Sequence, residues 1–398
     1  MNVSVRQKLG AFQKLLDSFL QWPALKDELT ARRVLLFSVV CLVCLGATMV
    51  GSASMPYGAY KFDQPMYFLI RHLIYITAGV IAALIASRLS LKFWFSQTVV
   101  LWLMVLILLI AVLFWPGSAV NGSKRWIGVG GVTFQPSEAA KFVMVLFTAD
   151  YVVRRADEVR FSWTGFMRLC IPMMLEPDLG ASTVVATSMM AVFFLAGAPA
   201  RQFLVMIAIA IGALLMAIVL EPYRLRRLTS FSNPWDEEQG SDYQLKQSLI
   251  AFGRGEWTGT GLGHSVQKLS YLPEAHTDFM LAVVGEELGL LGIVVLFGLL
   301  LLMVSSCMRI GHRALSHNHL RAGYLAYGIS VIFLLQILVN GGMNMGMLPT
   351  KGLTLPFISY GGTSLVMCMV MVAVLLRIDQ ETQTPLPRSA RDAYDMKS

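Results

Sequence analysis

The chain has 398 residues, 56% of them hydrophobic and 14% charged, with a mean hydropathy of +0.63. Soluble domains carry roughly 25% charged residues, so this composition excludes an ordinary soluble protein and indicates an integral membrane protein. The net charge of +8 does not argue for nucleic acid as a partner, because membrane proteins collect Lys and Arg in cytoplasmic loops for insertion alone.

The chain opens with a basic segment, 1–33, in which Leu9, Phe12, Leu15, Leu16, Phe19 and Leu20 recur at helical spacing among Lys and Gln. This predicts an amphipathic element that lies on the inner membrane surface or docks a partner. Apolar runs of spanning length follow near 34–54, 67–86, 95–115, 137–153, 180–197, 203–220, 279–306, 322–347 and 358–376, with a short tenth near 163–175. Arg6, Lys8, Lys14, Lys26, Arg32 and Arg33 place the amino terminus in the cytoplasm. No cleavage pattern precedes the first run, which is therefore expected to act as an uncleaved anchor.

Ten crossings give an all-α, polytopic membrane domain over 34–378 and a cytoplasmic tail over 379–398. The long polar stretch 221–278 holds eight acids against six bases, which suits a large extracytoplasmic loop. The short run strains this threading: a helix over 163–175 rises about 20 Å against a hydrocarbon core of about 30 Å. If it does not cross, everything downstream inverts. The five cysteines lie in or beside apolar runs, so packing rather than a disulfide framework is expected.

Ionisable groups at the membrane are candidates for function, since burying one costs several kcal/mol unless it is paired. Arg71 falls in the first turns of the second run, Lys124 and Arg125 precede the fourth, and Glu138 and Lys141 lie in its first two turns. Asp178 follows the fifth, Asp278 opens the eighth and Lys351 follows the ninth. The ten-span threading brings all of them to the outer face. Glu138 and Lys141 share a helix face at i,i+3 behind the helix start Gln135-Pro136-Ser137. They read equally as a buried ion pair or as groups facing a phosphate and a metal. Asp278 reads either as a helix N-cap or as a reactive carboxylate, with the small residues Ala282, Gly285 and Gly289 below it permitting close packing or leaving a groove. Glu286 and Glu287 are expected to pair within the bundle. The glycine-rich stretch 253–263 offers amides to a phosphate, but outside any nucleotide-binding context, and His312, His317 and His319 fall among bases on the inner side.

Four stretches carry a resemblance: Tyr271-Leu-Pro-Glu274-Ala-His276-Thr-Asp278-Phe, Leu348-Pro-Thr-Lys351-Gly through Ser359-Tyr360-Gly361-Gly362, Gln135-Pro-Ser-Glu138, and Glu176-Pro-Asp178-Leu-Gly180. They resemble the SEDS family (shape, elongation, division and sporulation), and its division branch more than its elongation branch. The resemblance implies a ten-span inner-membrane glycosyltransferase that polymerises lipid II into peptidoglycan strands at the septum. It implies a class B penicillin-binding partner of the FtsI type, alongside divisome proteins such as FtsQ, FtsL, FtsB and FtsN. The family's essential aspartate falls on Asp278, its fourth-span pair on Glu138 and Lys141, its loop lysine on Lys351 and its basic Arg-Trp position on Arg125. Arg71 is grouped with the substrate-binding set, and Asp178, Glu274, His276 and Ser359 with motif residues of structural or open role. The fifth span is shorter than in relatives.

The expected chemistry is attack of an acceptor GlcNAc 4-hydroxyl on lipid-linked MurNAc, with Asp278 as general base and undecaprenyl pyrophosphate leaving. Cations, with Mg²⁺ or Mn²⁺ at Asp278 or Glu138 among the candidates, would balance the departing charge. The competing classes are a lipid II flippase, which needs polar groups through the full bilayer depth, and a noncatalytic division scaffold, which needs no Asp278.

Overall fold

A computed structural model describes residues 28–115, 119–120, 123–129, 132–156, 179–197, 205, 212, 241–269, 271–349 and 352–385. The segment before 28, the short run near 163–175, nearly all of the run near 203–220, Asp178, Lys351 and the end of the tail lie outside the described residues.

Eight of the predicted runs are helices at the expected places. These are α1 (Glu28–Phe62), α2 (Tyr67–Arg88), α4 (Thr98–Phe114), α5 (Pro136–Arg154), α6 (Leu179–Leu195), α8 (Met280–Ser316), α9 (Leu320–Asn344) and α10 (Gly362–Glu381). A short α3 (Leu91–Ser96) joins α2 to α4, its start capped by the Ser90 hydroxyl accepting from Phe93 N at 3.2 Å. Helices α1, α2, α8, α9 and α10 are long and apolar enough to cross a membrane. Their outward faces are paved with side chains such as Phe37, Val40, Ile74, Ile81, Leu84, Val294 and Val295. Water would expel such a surface, whereas hydrocarbon chains are its natural solvent.

Inside, α8 packs on α1 and α9, α10 packs on α2, and α5 lies among α4, α6, α9 and α10. At the end of the bundle where α8 turns into α9, Arg313 pairs with Asp379, and Asp150 pairs with Arg154 and, at 3.5 Å, with Arg321. The rings of His317 and His319 bond the carbonyls of Thr382 and Thr384, which ties the α8–α9 turn to the end of α10.

Three features go beyond the sequence pattern. Two small antiparallel hairpins, β1 (Ala119–Val120) with β2 (Ser123–Lys124) and β3 (Ile127–Val129) with β4 (Val132–Phe134), lie between α4 and α5. The polar stretch expected as loop contains a helix, α7 (Ser241–Gly255), packed on α8 and α9. Finally, α8 is broken at Gly289, whose φ of 66° and ψ of −166° leave the helical region that a side chain would favour.

The break separates a half-helix, 280–288, from the lipid-facing remainder, and residues 256–261 fill it. Thr260 N and Gly261 N donate to the carbonyls of Glu286 and Glu287 at 2.9 and 3.0 Å, while Leu290 N and Leu291 N donate to Glu256 and Trp257 at 2.9 and 3.1 Å. Backbone groups freed at membrane depth must find such partners. The close approach needs glycine on both sides, since a Cβ on Gly255 would stand 1.9 Å from the Gly285 carbonyl oxygen and one on Gly259 2.2 Å from that of Glu287. The glycine-rich stretch is therefore a packing element, and the amides of Thr260 and Gly261 that a phosphate would need are already engaged.

Candidate functional site

Asp278 does not cap α8. The N-cap position is Phe279, without a side-chain cap bond. The preceding turn is instead built by Glu274, whose carbonyl accepts from Thr277 N and Phe279 N and whose carboxylate accepts from the Thr277 hydroxyl at 2.8 Å. The Asp278 carbonyl accepts from the amides of Asn340 and Asn344, both at 3.0 Å, and the Asn340 amide also donates to Leu353 O at 2.6 Å. Two buried asparagines one turn apart on α9 thus fix Asp278 against the 352–361 loop. Neither was singled out from the sequence, although polar amides at i,i+4 in an apolar run are a readable signal.

That loop brings Gly352 against the side chain. A Cβ built on Gly352 would lie 3.2 Å from Asp278 Oδ2 and 4.0 Å from Arg125 Nη1. The carboxylate, the guanidinium and a bare stretch of backbone therefore share one small volume. Arg125 arrives there from the residues between the two hairpins, and Lys351 precedes Gly352 directly in the chain.

Further along the loop, the buried Ser359 hydroxyl accepts from Leu355 N at 3.0 Å, a structural use of that motif residue. Thr354 and Ser364 hydroxyls meet at 2.9 Å. The Phe357 carbonyl oxygen presses on α1 at Gly46, where a Cβ would stand only 2.1 Å away. Tyr360 N donates to the His276 carbonyl at 2.9 Å, which joins the two longest motifs. The His276 ring sits among Phe68, Tyr57 and Tyr360 with centroid distances of 4.7, 5.3 and 5.7 Å. Burial pushes its pKa below the ordinary imidazole value, with Glu274 opposing and Lys61 adding to the shift. Arg71 lies over the Tyr67 ring, 4.8 Å from its centroid, and bonds the Tyr360 hydroxyl.

Glu138 and Lys141 form a buried pair, with Nζ 2.7 Å from Oε2 and side chains 7% and 0% exposed. It is close as an ion pair but off-axis as a hydrogen bond, since neither atom has a partner by hydrogen-bond geometry. The pair faces Cys368 of α10, one turn below Ser364. Gln135 N donates to the Thr363 hydroxyl at 3.2 Å and that hydroxyl to Thr133 O at 3.3 Å, so the starts of α5 and α10 are fastened together above it. Lys141 is enclosed, and a phosphate would reach it only if α5 and α10 parted.

Glu286 and Glu287 are fully buried and paired, as expected from the sequence. Glu287 accepts from Ser52 Oγ at 2.7 and 2.8 Å and from Lys268 Nζ at 2.7 Å. Glu286 accepts from Ser265 Oγ at 2.5 Å and from the amides of Val266 and Gln267 at 3.0 and 3.2 Å. Gly285 and Gly289 pack on Phe252 and on the backbone of 257–259, so the small residues below Asp278 serve close contact rather than a groove.

Among the described residues no three His, Cys, Asp or Glu side chains converge. Asp278 is faced by a guanidinium and Glu138 by an ammonium, a donor set that does not fit a resident Mg²⁺ or Mn²⁺ with its oxygen-rich octahedron.

Residues 32–384 match the model of a cell cycle protein family that includes FtsW, RodA and SpoVE. A probable peptidoglycan glycosyltransferase FtsW of Acinetobacter baylyi is 56% identical over 378 residues, covering 93% of this chain and 94% of its own. The corresponding Coxiella burnetii protein is 48% identical over 357 residues, covering 87% and 96%. Among solved structures, a peptidoglycan synthase complex that coordinates polymerization and crosslinking contains a chain superposing with TM-score 0.72 at 28% identity over 88% of this chain and 97% of that one. Thermus thermophilus RodA superposes with TM-score 0.63 at 26% identity over the same shares.

Proposed function

The chain belongs to the FtsW/RodA/SpoVE family of cell cycle proteins, the SEDS family, and is a multi-pass membrane peptidoglycan glycosyltransferase; from that premise we propose that it polymerises lipid II during septal wall synthesis, with Asp278 as general base. The observation that carries this reading is the meeting of Asp278 and Arg125 across Gly352. The carboxylates of Glu138, Glu286 and Glu287 are committed to buried pairs, and that of Glu274 to its own turn.

In the proposed reaction the 4-hydroxyl oxygen of an acceptor GlcNAc bonds to the anomeric carbon of lipid-linked MurNAc. The bond from that carbon to the pyrophosphate oxygen breaks, and the hydroxyl proton passes to Asp278. An alcohol is a poor nucleophile at neutral pH, and a positioned base is worth about 10²- to 10⁴-fold. Direct displacement inverts the sugar linkage. Undecaprenyl pyrophosphate leaves with negative charge that Arg125 is placed to meet, with Lys351 beside Gly352 and Arg71 as further cations. The Glu138–Lys141 pair sits between α5 and α10, and apolar faces between helices hold the polyprenyl tail. A class B penicillin-binding protein of the FtsI type is the proposed working partner.

The test uses purified protein with that partner and labelled lipid II in detergent, with products sized. Wild type is expected to make polymer, and a folded Asp278→Asn variant none. Equal polymer from both overturns the base assignment. No polymer from either, with lipid II crossing vesicles, would make the protein a transporter.

A further inference from the structure

The break at Gly289 interrupts the regular helix between the half-helix 280–288 and the rest of α8, and the start of that half-helix follows Asp278 by two residues. Every residue from Met280 to Glu287 is buried, so its place is set by what it touches. The upper end is fixed by Asn340 and Asn344 through the Asp278 carbonyl. The lower end is held by the backbone bonds of 256–261 to the Glu286 and Glu287 carbonyls and, in addition, by charge. Glu287 is gripped from two directions: by Ser52 on α1 and by Lys268, which itself donates to the Ser52 hydroxyl at 2.9 Å. Glu286 is bound by the same segment, through Ser265, Val266 and Gln267, with Arg254 at 3.7 Å, and Ser265 N also reaches Glu287 at 3.4 Å.

Two adjacent carboxylates in a protein interior cost far more than two apolar residues would, and close packing alone would hold a short helix. A buried charge pair differs from apolar packing in being directional. We propose that Lys268, Glu287 and Ser52 are positioning residues for the transfer reaction: the triad fixes the height and rotation of 280–288 and through it the aim of the Asp278 carboxylate at the acceptor hydroxyl. This rests on Asp278 being the base. The strap 256–268 is then an adjustable mount, because one of its ends makes the cap at the break and the other supplies Lys268.

The discriminating comparison is between Lys268→Met and the double variant Lys268→Met/Glu287→Gln, each with the partner protein. The single variant leaves a lone buried carboxylate and is expected to lose both thermal stability and turnover. The double variant removes both charges. Its thermal midpoint is expected to return close to wild type while kcat stays down by about 10- to 100-fold, the scale of an ångström-sized misplacement, with KM little changed. Recovery of kcat together with the midpoint overturns the proposal, since the triad would then be structural only.

A second readout is independent of turnover. In a cysteine-free background, Asp278→Cys is labelled with a charged thiol reagent, and adding the double substitution is expected to change the labelling rate; an unchanged rate overturns the proposal. Failure of wild type to polymerise lipid II would count against the proposed function instead, and the labelling rate would still decide the positioning role.

Discussion

Asp278 and Arg125 approach each other over a glycine: the Cβ of an alanine at 352 would stand 3.2 Å from the carboxylate, close enough to push it, and 4.0 Å from the guanidinium. Gly352→Ala is therefore expected to displace the carboxylate by a few tenths of an ångström while leaving the helices intact. Polymerisation should fall roughly tenfold through kcat, with the thermal midpoint almost unmoved. An unaffected rate would show that the carboxylate does not act from this position.

Breaking the buried pair should be costly in one step and mild in two. Lys141→Met strands the Glu138 carboxylate and is expected to cost about 3–5 kcal/mol, whereas Lys141→Met/Glu138→Gln recovers most of that. If the pair is only structural, lipid II polymerisation recovers with stability. Recovery of stability with a lasting rise in KM would instead place Lys141 on the substrate.

The ring of His276 predicts an acid limit. Its folded-state pKa lies below the ordinary value of 6.5 because it is buried, so the folded protein binds fewer protons there than the unfolded chain. The corresponding stability is complete above that ordinary value and is lost as pH falls through it toward the depressed one. Thermal midpoints measured from about pH 8 to about pH 5 should drop at the acid end, and His276→Phe should flatten the drop within the same aromatic cluster.

Gly289→Ala should be among the most damaging small substitutions in the chain. Its backbone lies in a region essentially reserved for glycine, which costs an L-residue roughly 1–3 kcal/mol, and the added carbon would meet Gly259 N at 2.4 Å and Thr258 N at 2.7 Å, both backbone atoms that cannot swing away. Loss of monodisperse protein in detergent and faster proteolysis across 256–261 are the expected signs. Gly298→Ala, with open space around the new carbon, is the matched control.

Much of this was legible in the sequence because hydrocarbon imposes its own regularity. Apolar runs fixed eight helices, and the scarcity of charge made Asp278, Arg125, Glu138 and Lys141 conspicuous. What stayed hidden depends on contacts between distant segments. Glu286-Glu287-Leu288-Gly289-Leu290 reads as uninterrupted helix until residues 256–261 are seen filling the gap. Lys268 and Ser52 gain meaning only through Glu287, a partner 19 residues from one and 235 from the other. Asn340 and Asn344 were legible as amides in an apolar run, but what they hold, the Asp278 carbonyl, follows from the packing of α8 on α9.

The length of α1 has a mechanical consequence. Its 35 residues, with Pro56 in the last third, run about 52 Å, and along them Gly46 bears on Phe357, Ser52 on Glu287 and Tyr57 on His276. At its other end, Arg32 meets Gln380 near the close of α10. Tilting α1 as one body by about 5° swings its far end by about 4–5 Å, so a pull at the Arg32 end would reach the His276 end as leverage, with no relay of smaller movements in between.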